Sequence, residues 1–467
     1  MRFTRQLYFI VFGATVLVAV GSYWWQFPGL AGTGGIWPLR NNLGPDAGWS
    51  LLRLSTSDAP VHALLALCCA CGLALMLGFA PRVACVVLWA CWTPLLRDGY
   101  PFLAFQWDVL LGEAAFWSAF YAPAGLRPRL ESDADAPRAV RWVMYLLACK
   151  VTLESGLVKL LSGDPSWRDW TALTWHWWTQ PLPTWTSVYL AQLPLELQRV
   201  LCGLVFVFEL AVPLLALGPR RARLAAALGL MALQAALTLS GNFAFYGLLT
   251  AALAIPLLDD AALRRVWKAL PVLPDAPRER PWQWALPAFV LVAGVGAFLR
   301  QGWTAPLHRA GVVNAYGAFA RMTKSRAEIL IEGSADGVTW RPYELPWKPG
   351  DVTRRPQFVA PWQPRLDWQL WFASLGRCEH NPWLISTQEQ LLRGNPAVQA
   401  LFAEDPFQAA PPRLLRTRSF EYRFAPLGET GVWWTRTEVG PYCPVLELGP
   451  DGRLRRAQKD SSGISGA

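Results

Sequence analysis

Between residues 7 and 300 the chain repeats one pattern, an apolar run of roughly twenty residues or fewer followed by a short polar connector. Nine such runs stand at about 7–25, 61–79, 83–96, 103–120, 139–161, 200–217, 224–239, 243–258 and 284–299, and each predicts a transmembrane helix. Arg2 and Arg5 precede the first run, which ends in Tyr23-Trp24-Trp25. A signal peptide has a shorter apolar stretch that ends in small residues, so this run reads as an anchored helix entering from the cytoplasm. The third run is short and predicts a tilted or partly re-entrant helix.

After Arg300 the pattern changes. Glu328 to Ile331 is a short apolar run, Ala335-Asp336-Gly337 is a turn signal, and Val338 to Tyr343 returns, which together predict a hairpin. Residues 366–375 and 382–392 read as short helices, and 420–424, 432–437 and 444–448 as strands. The division is therefore a transmembrane domain over 1–303, a mainly β, mixed α/β extramembrane domain over 304–450, and a polar tail over 451–467 expected to be disordered. The fold class is a polytopic α-helical membrane protein of about nine spans with a C-terminal extramembrane domain.

Composition agrees with this class. Of the 467 residues 53% are hydrophobic and 16% charged, where a soluble protein carries nearer a quarter charged. The net charge of +10 does not indicate a nucleic-acid partner, because the cations sit in the connectors. With the N-terminus inside, the inner loops carry Arg2 and Arg5, Arg82, Arg127, Arg129 and Arg138, the Arg220–Arg223 group, and Arg264, Arg265 and Lys268. The outer loops carry only scattered Arg40, Arg53, Arg97 and Arg168. An odd number of spans then puts the C-terminal domain on the non-cytoplasmic side, periplasmic in a bacterium and luminal in a eukaryote.

Charges at membrane depth are the main departure from a bland bundle. Depth alone suggests Glu113, Lys150, Glu154 and Glu209 as one buried cluster, with Asp108 near Lys159 at the outer mouth. Lys150 and Glu154 are one helical turn apart, whereas Lys159 lies about 180° around the helix from Lys150 and needs a different partner. The cluster reads either as structural ion pairs or as a polar cavity in which Lys159 and Asp108 do chemistry. The run that follows is dense in tryptophan, with Trp167, Trp170, Trp175, Trp177, Trp178 and Trp185 around His176. It reads as an interfacial belt or as an apolar patch that contacts lipid or a client protein.

Of nine cysteines, seven lie in apolar runs and read as small packing residues, Cys68 and Cys71 of a C-x-x-C included. Cys378 and Cys443 lie in the outer domain and are a candidate disulfide if that domain is exported. The four histidines are widely separated and show no metal-ligand spacing, and no cofactor motif is present. There is no G-x-S-x-G, G-x-x-x-x-G-K-[ST], H-E-x-x-H or G-x-G-x-x-G, so the chain does not read as a lipase, an ATPase or a zinc protease.

Several longer stretches carry a resemblance. FLAFQWDVLLGEAAFWSAFYAP (102–123), LVKLLSGDPSWRDWTALTWHWWTQPLP (157–183), GNFAFYGLLT (241–250), NAYGAFARMTKSRAEILIEGSADG (314–337), PWQPRLDWQLWFASL (361–375) and the closing WWTR…GPYCP (433–444) resemble the lipase maturation factor family. The resemblance implies a multi-pass helical domain followed by that family's outer domain. It also implies a role in the folding or assembly of exported proteins such as lipases. Animal members are implied to sit in the endoplasmic-reticulum membrane, while the short loops here read as bacterial. Separately, Gly156-Leu157-Val158-Lys159 followed by Trp167-Arg168-Asp169 is similar to the transmembrane group that includes the vitamin K-dependent carboxylase, although Ser162–Ser166 departs from that pattern. That likeness implies Lys159 as a base, and so an alternative function as a membrane enzyme acting on a lipid-like or exported substrate.

Overall fold

The computed structural model describes residues 2–42, 57–128, 134–272, 280–426, 428 and 431–457. Arg53, Arg129 and the end of the expected tail, 458–467, lie outside the described residues. Two compact units form, one of Met1–Trp24, Asn42–Lys324 and Phe358–Gln363, the other of Trp25–Asn41, Ser325–Gln357 and Pro364–Ala467. Residues 304–324, expected in the second domain, fall in the first unit, and residues 25–41, expected in the first domain, fall in the second.

All nine predicted helices occur among the described residues: α1 (Arg2–Leu30), α2 (Ala59–Met76), α3 (Pro81–Asp98), α4 (Gln106–Tyr121), α5 (Arg138–Leu161), α6 (Leu195–Leu217), α7 (Arg220–Ser240), α8 (Tyr246–Leu257) and α9 (Pro281–Phe298). Five of them, α1, α2, α6, α7 and α9, are long and apolar enough to cross a membrane. A sixth span results if α8 and Asp260–Val266, bent by 110°, count together. The other three fall short for identifiable reasons. Helix α4 has only 16 residues and is buried along most of its length, Asp108 and Glu113 included. Helix α5 carries Arg138, Arg141, Lys150, Glu154 and Lys159. Helix α3 carries Arg82, Arg97 and Asp98. Nine crossings therefore do not follow from length and apolarity.

Local chemistry sets the helix ends. Gly78 at φ +66° and Ala80 at φ +43° turn the chain after α2, and Pro81 opens α3, where its missing N–H costs nothing. Gly163 at φ +74° ends α5, and Asp164 then caps the next short helix through Ser166 N at 2.8 Å.

The second unit is built on an antiparallel sheet ordered β2-β1-β3-β4-β5, with β1 Ala327–Ser334, β2 Arg341–Pro342, β3 Leu414–Phe424, β4 Trp434–Leu448 and β5 Leu454–Arg456. Helices α10 (Arg365–Ser374) and α11 (Pro382–Leu392) belong to the same unit. The predicted hairpin forms, and Asp336 holds its turn by accepting from Val338 N and Thr339 N, both at 2.8 Å. Two strands expected at 432–437 and 444–448 are one continuous strand. The chain passes Gly440 at φ +142°, open to glycine alone, and irregular register against Thr417–Phe420 absorbs the irregularity. The tail is not wholly disordered, since 454–456 pairs with 446–448. The core of the sheet is Leu330, Phe420, Tyr422 and Trp434. Beside it a buried Glu328 receives both Arg326, at 2.7 Å, and Lys348.

Cys378 and Cys443 are bonded, with Cα atoms 5.5 Å apart across a sequence separation of 65. Closing a loop of that length predicts that Cys378→Ser with Cys443→Ser lowers the stability of this unit by about 4 kcal/mol. Hydrogen exchange of β3 and β4 in the intact protein reads this as lost protection. Asp367 is buried in the first turn of α10, and its Oδ1 accepts from Trp347 N at 2.9 Å and Lys348 N at 2.7 Å. Burial nonetheless pushes its pKa up to about 6. A raised carboxyl pKa contributes stability that is complete below about 4 and is lost as pH rises through about 6. Asp367→Asn is therefore expected to flatten this pH dependence and to stabilise the unit by up to about 3 kcal/mol at pH 8, measured by hydrogen exchange from pH 5 to 8.

Candidate functional site

Helix α5 presents two lysines on opposite faces, and each anchors a separate buried network. On one face Lys150 Nζ donates to Glu113 Oε1 of α4 at 2.9 Å. The other oxygen of Glu113 accepts from Asn314 Nδ2 at 2.8 Å and from Tyr316 Oη at 2.6 Å. Glu154, one turn beyond Lys150, accepts from the backbone N–H of Tyr316 at 2.7 Å. Lys150 also lies over the Tyr316 ring, 5.2 Å from its centroid. The carboxylates thus bind a strap, residues 312–324, over the bundle. Further along the strap, Phe319 O accepts from Trp167 Nε1 at 3.0 Å and Met322 N donates to Asp164 Oδ2 at 2.6 Å.

On the opposite face Lys159 Nζ donates to Glu209 Oε1 at 2.8 Å, to Glu209 Oε2 at 2.7 Å and to Ser155 O at 3.1 Å. Trp167 covers it, with its ring centroid 5.4 Å away. The approach of the two helices is a sequence effect. Pro213 has no N–H to give the carbonyl four residues before it, that of Glu209, and α6 widens there into a π turn over Val207–Ala211. Gly156 on α5 gives that turn room, since a Cβ there would lie 2.7 Å from Leu210 Cδ2 and 3.0 Å from Glu209 Cβ.

The pair borders a cavity of about 230 Å³, walled by aliphatic and aromatic side chains of α6, α7, the Ala172–Thr179 helix and the strap. His176 and Phe319 line it, with ring centroids 4.7 Å apart and planes at 87°. Burial, and then the charge of Lys159, push the His176 pKa down to about 3, so the imidazole is neutral at physiological pH. Phe319 sits at φ +54°, a strained conformation for an aromatic residue.

Three expectations are corrected by this arrangement. The four-membered cluster of Glu113, Lys150, Glu154 and Glu209 divides in two, because depth along a helix does not specify the direction in which a side chain faces. The partner of Lys159 is Glu209, while Asp108 sits buried in the first turn of α4, where the helix dipole favours an anion. The tryptophan stretch, expected as an interfacial belt or an outward contact patch, is only partly outward. It folds into helices Pro165–Arg168, Ala172–Thr179 and Trp185–Leu190, which turn Trp167, His176 and Trp177 inward. Trp177 Nε1 donates to Gln198 Oε1 at 2.6 Å. Trp175 and Trp178 are partly exposed, and Trp170 is 50% exposed while packing on Gly203. Asn314, Tyr316 and Phe319 are not among the sequence-predicted site residues, and the family resemblance of the NAYGAFARMTK run is the one signal that marks them.

Lys159 Nζ is thus held between the Glu209 carboxylate and Ser155 O rather than presented free to the cavity. The described fold and site define a polytopic helical membrane protein with buried, mutually neutralised charges and a C-terminal sheet-bearing unit. The chain belongs to the lipase maturation factor family. Residues 3–265 match the lipase maturation factor transmembrane domain and residues 312–444 the lipase maturation factor C-terminal domain. Lipase maturation factor 2 of Homo sapiens is 30% identical, over 96% of this chain and 83% of its own length. Lipase maturation factor 1 of Homo sapiens is 31% identical, over 80% of this chain and 72% of its own length, with the Mus musculus protein equally similar over the same shares. No solved structure matches.

Removing one partner of the Lys159–Glu209 pair strands a buried charge. Lys159→Met is therefore expected to cost about 3–5 kcal/mol, and the double change Lys159→Met with Glu209→Leu to recover most of that loss. Thermal unfolding of the protein in nanodiscs checks both.

Proposed function

We propose that this protein is a membrane-embedded maturation factor that assists the folding or assembly of exported proteins, lipases among them, on the non-cytoplasmic side of the membrane. The observation that carries this reading is the match of both family domains, in order, over nearly the whole chain. The names of its relatives supply the client class. The distribution of Arg and Lys among the connectors supports nine crossings, a cytoplasmic N-terminus and a periplasmic second unit. The bonded Cys378 and Cys443 suit an oxidising compartment. Exposed Trp170, together with half-exposed Trp175, Trp178 and Trp185, is the part of the tryptophan stretch available to a client or to lipid.

The alternative, an enzyme in which Lys159 acts as base on a lipid-like substrate, is less well supported because Lys159 is held by the Glu209 carboxylate and by Ser155 O. The test is co-expression with an exported lipase, reading secreted activity per unit of lipase antigen. The chain is expected to raise that ratio several-fold. Trp170→Ala is expected to remove more than half of the gain at normal membrane insertion. The folded double variant Lys159→Met with Glu209→Leu is expected to keep it. A ratio unchanged by the chain overturns the maturation role, and loss of the gain in the inserted double variant restores the enzyme.

A further inference from the structure

The maturation reading leaves the cavity beside Lys159 and Glu209 without a use. Leu201, Leu204 and Phe208 of α6 form one wall and Leu233 and Ala236 of α7 another. Leu204 is 43% exposed and Ala236 is also exposed, so the cavity opens between these two helices. Both are among the five helices apolar enough to span a membrane, and they bury only 22% and 28% of their apolar windows. In a bilayer such a mouth opens onto acyl chains rather than water.

The closed end is polar but carries no free charge. Lys159 and Glu209 neutralise one another. His176 is only 7% exposed, lines the cavity and has no hydrogen bond to either ring nitrogen among the described residues. Its ring is held edge-on by Phe319 and stacked on Phe243, with centroids 4.7 and 6.2 Å away. A neutral imidazole offers one donor and one acceptor, and leaving both unmade in an apolar setting is unfavourable.

We propose that this cavity binds the uncharged polar end of a single-chain membrane amphiphile, with its hydroxyl or carbonyl on His176 and its chain leaving between α6 and α7. Size and charge select that class. A cavity of 150 Å³ lined by aliphatic and aromatic groups holds benzene, so 230 Å³ holds roughly nine heavy atoms. That suits the glycerol-ester end of a monoacylglycerol and excludes the backbone of a two-chain lipid. A phosphate would be buried with no uncommitted cation to receive it, because Lys159 is already engaged.

The test uses the full-length protein in membranes and a photoactivatable monoacylglycerol, with a diazirine beside the ester and an alkyne at the chain end. Cross-linked peptides are mapped by mass spectrometry. Labelling is expected within residues 201–208 or 232–237. Ala236→Trp, which fills the mouth, is expected to reduce it about tenfold. His176→Phe, which keeps the shape but loses both polar groups, is expected to reduce it about fivefold, and His176→Gln to restore it. Equal labelling of the wild type and Ala236→Trp overturns the site. So does equal labelling of the same peptides by a photoactivatable phosphatidylcholine. Wild-type labelling of a folded His176→Phe protein overturns the assigned role of the imidazole. If His176→Phe does not fold, Ala236→Trp and the phosphatidylcholine comparison still decide. No client enters the readout, so its failure leaves the maturation role standing.

Discussion

The need to neutralise both lysines of α5 within an apolar bundle constrains much of the first unit. An unpaired ammonium at membrane depth is costly, and Lys150 and Lys159 point in opposite directions from one helix. The helix must therefore have a carboxylate on each side. Glu113 of α4 supplies one and Glu209 of α6 the other, at 2.9 and 2.7 Å. These two contacts fix the rotation of α5 about its axis and bring α4 and α6 against it. Such pairs need add no net stability over a well-packed apolar alternative, but breaking one strands a charge, so they specify a single arrangement.

The second consequence is the strap. Glu113 has a free oxygen after binding Lys150, and Glu154 lacks a direct lysine bond. Asn314 and Tyr316 supply the missing donors from residues that follow the last apolar helix. Residues 312–324 thereby become part of the first unit rather than the start of the second. The strap then carries Phe319 to the cavity beside Lys159, where its left-handed backbone and the π turn of α6 both depart from regular geometry.

The charged residues at membrane depth are occupied with one another. The lysine that a catalytic reading would use is bound by Glu209 and Ser155, and the tryptophans that a client-binding reading would use are partly turned inward. What remains outward is narrower than the whole tryptophan stretch, chiefly Trp170 with half-exposed Trp175, Trp178 and Trp185.

The sequence by itself determined the nine helices to within a few residues at most ends, because apolar runs punctuated by Pro, Gly and Arg leave little choice of local structure. It also determined the hairpin at Asp336 and the helices at 365–374 and 382–392. Period and turn chemistry are local properties and are read directly from neighbouring residues. Only the tertiary structure decided that Lys159 meets Glu209 rather than Asp108, that Tyr316 returns to Glu113 from 203 residues away, and that Trp167, His176 and Trp177 face inward. Depth along a helix can be counted from the sequence. The direction in which a side chain meets another helix depends on how the helices are rotated and packed, and residues far apart in the chain set that together. The single strand over 434–448 shows the same division: local pattern gives two strands at 432–437 and 444–448, and pairing with β3 carries one strand through Gly440 and Pro441.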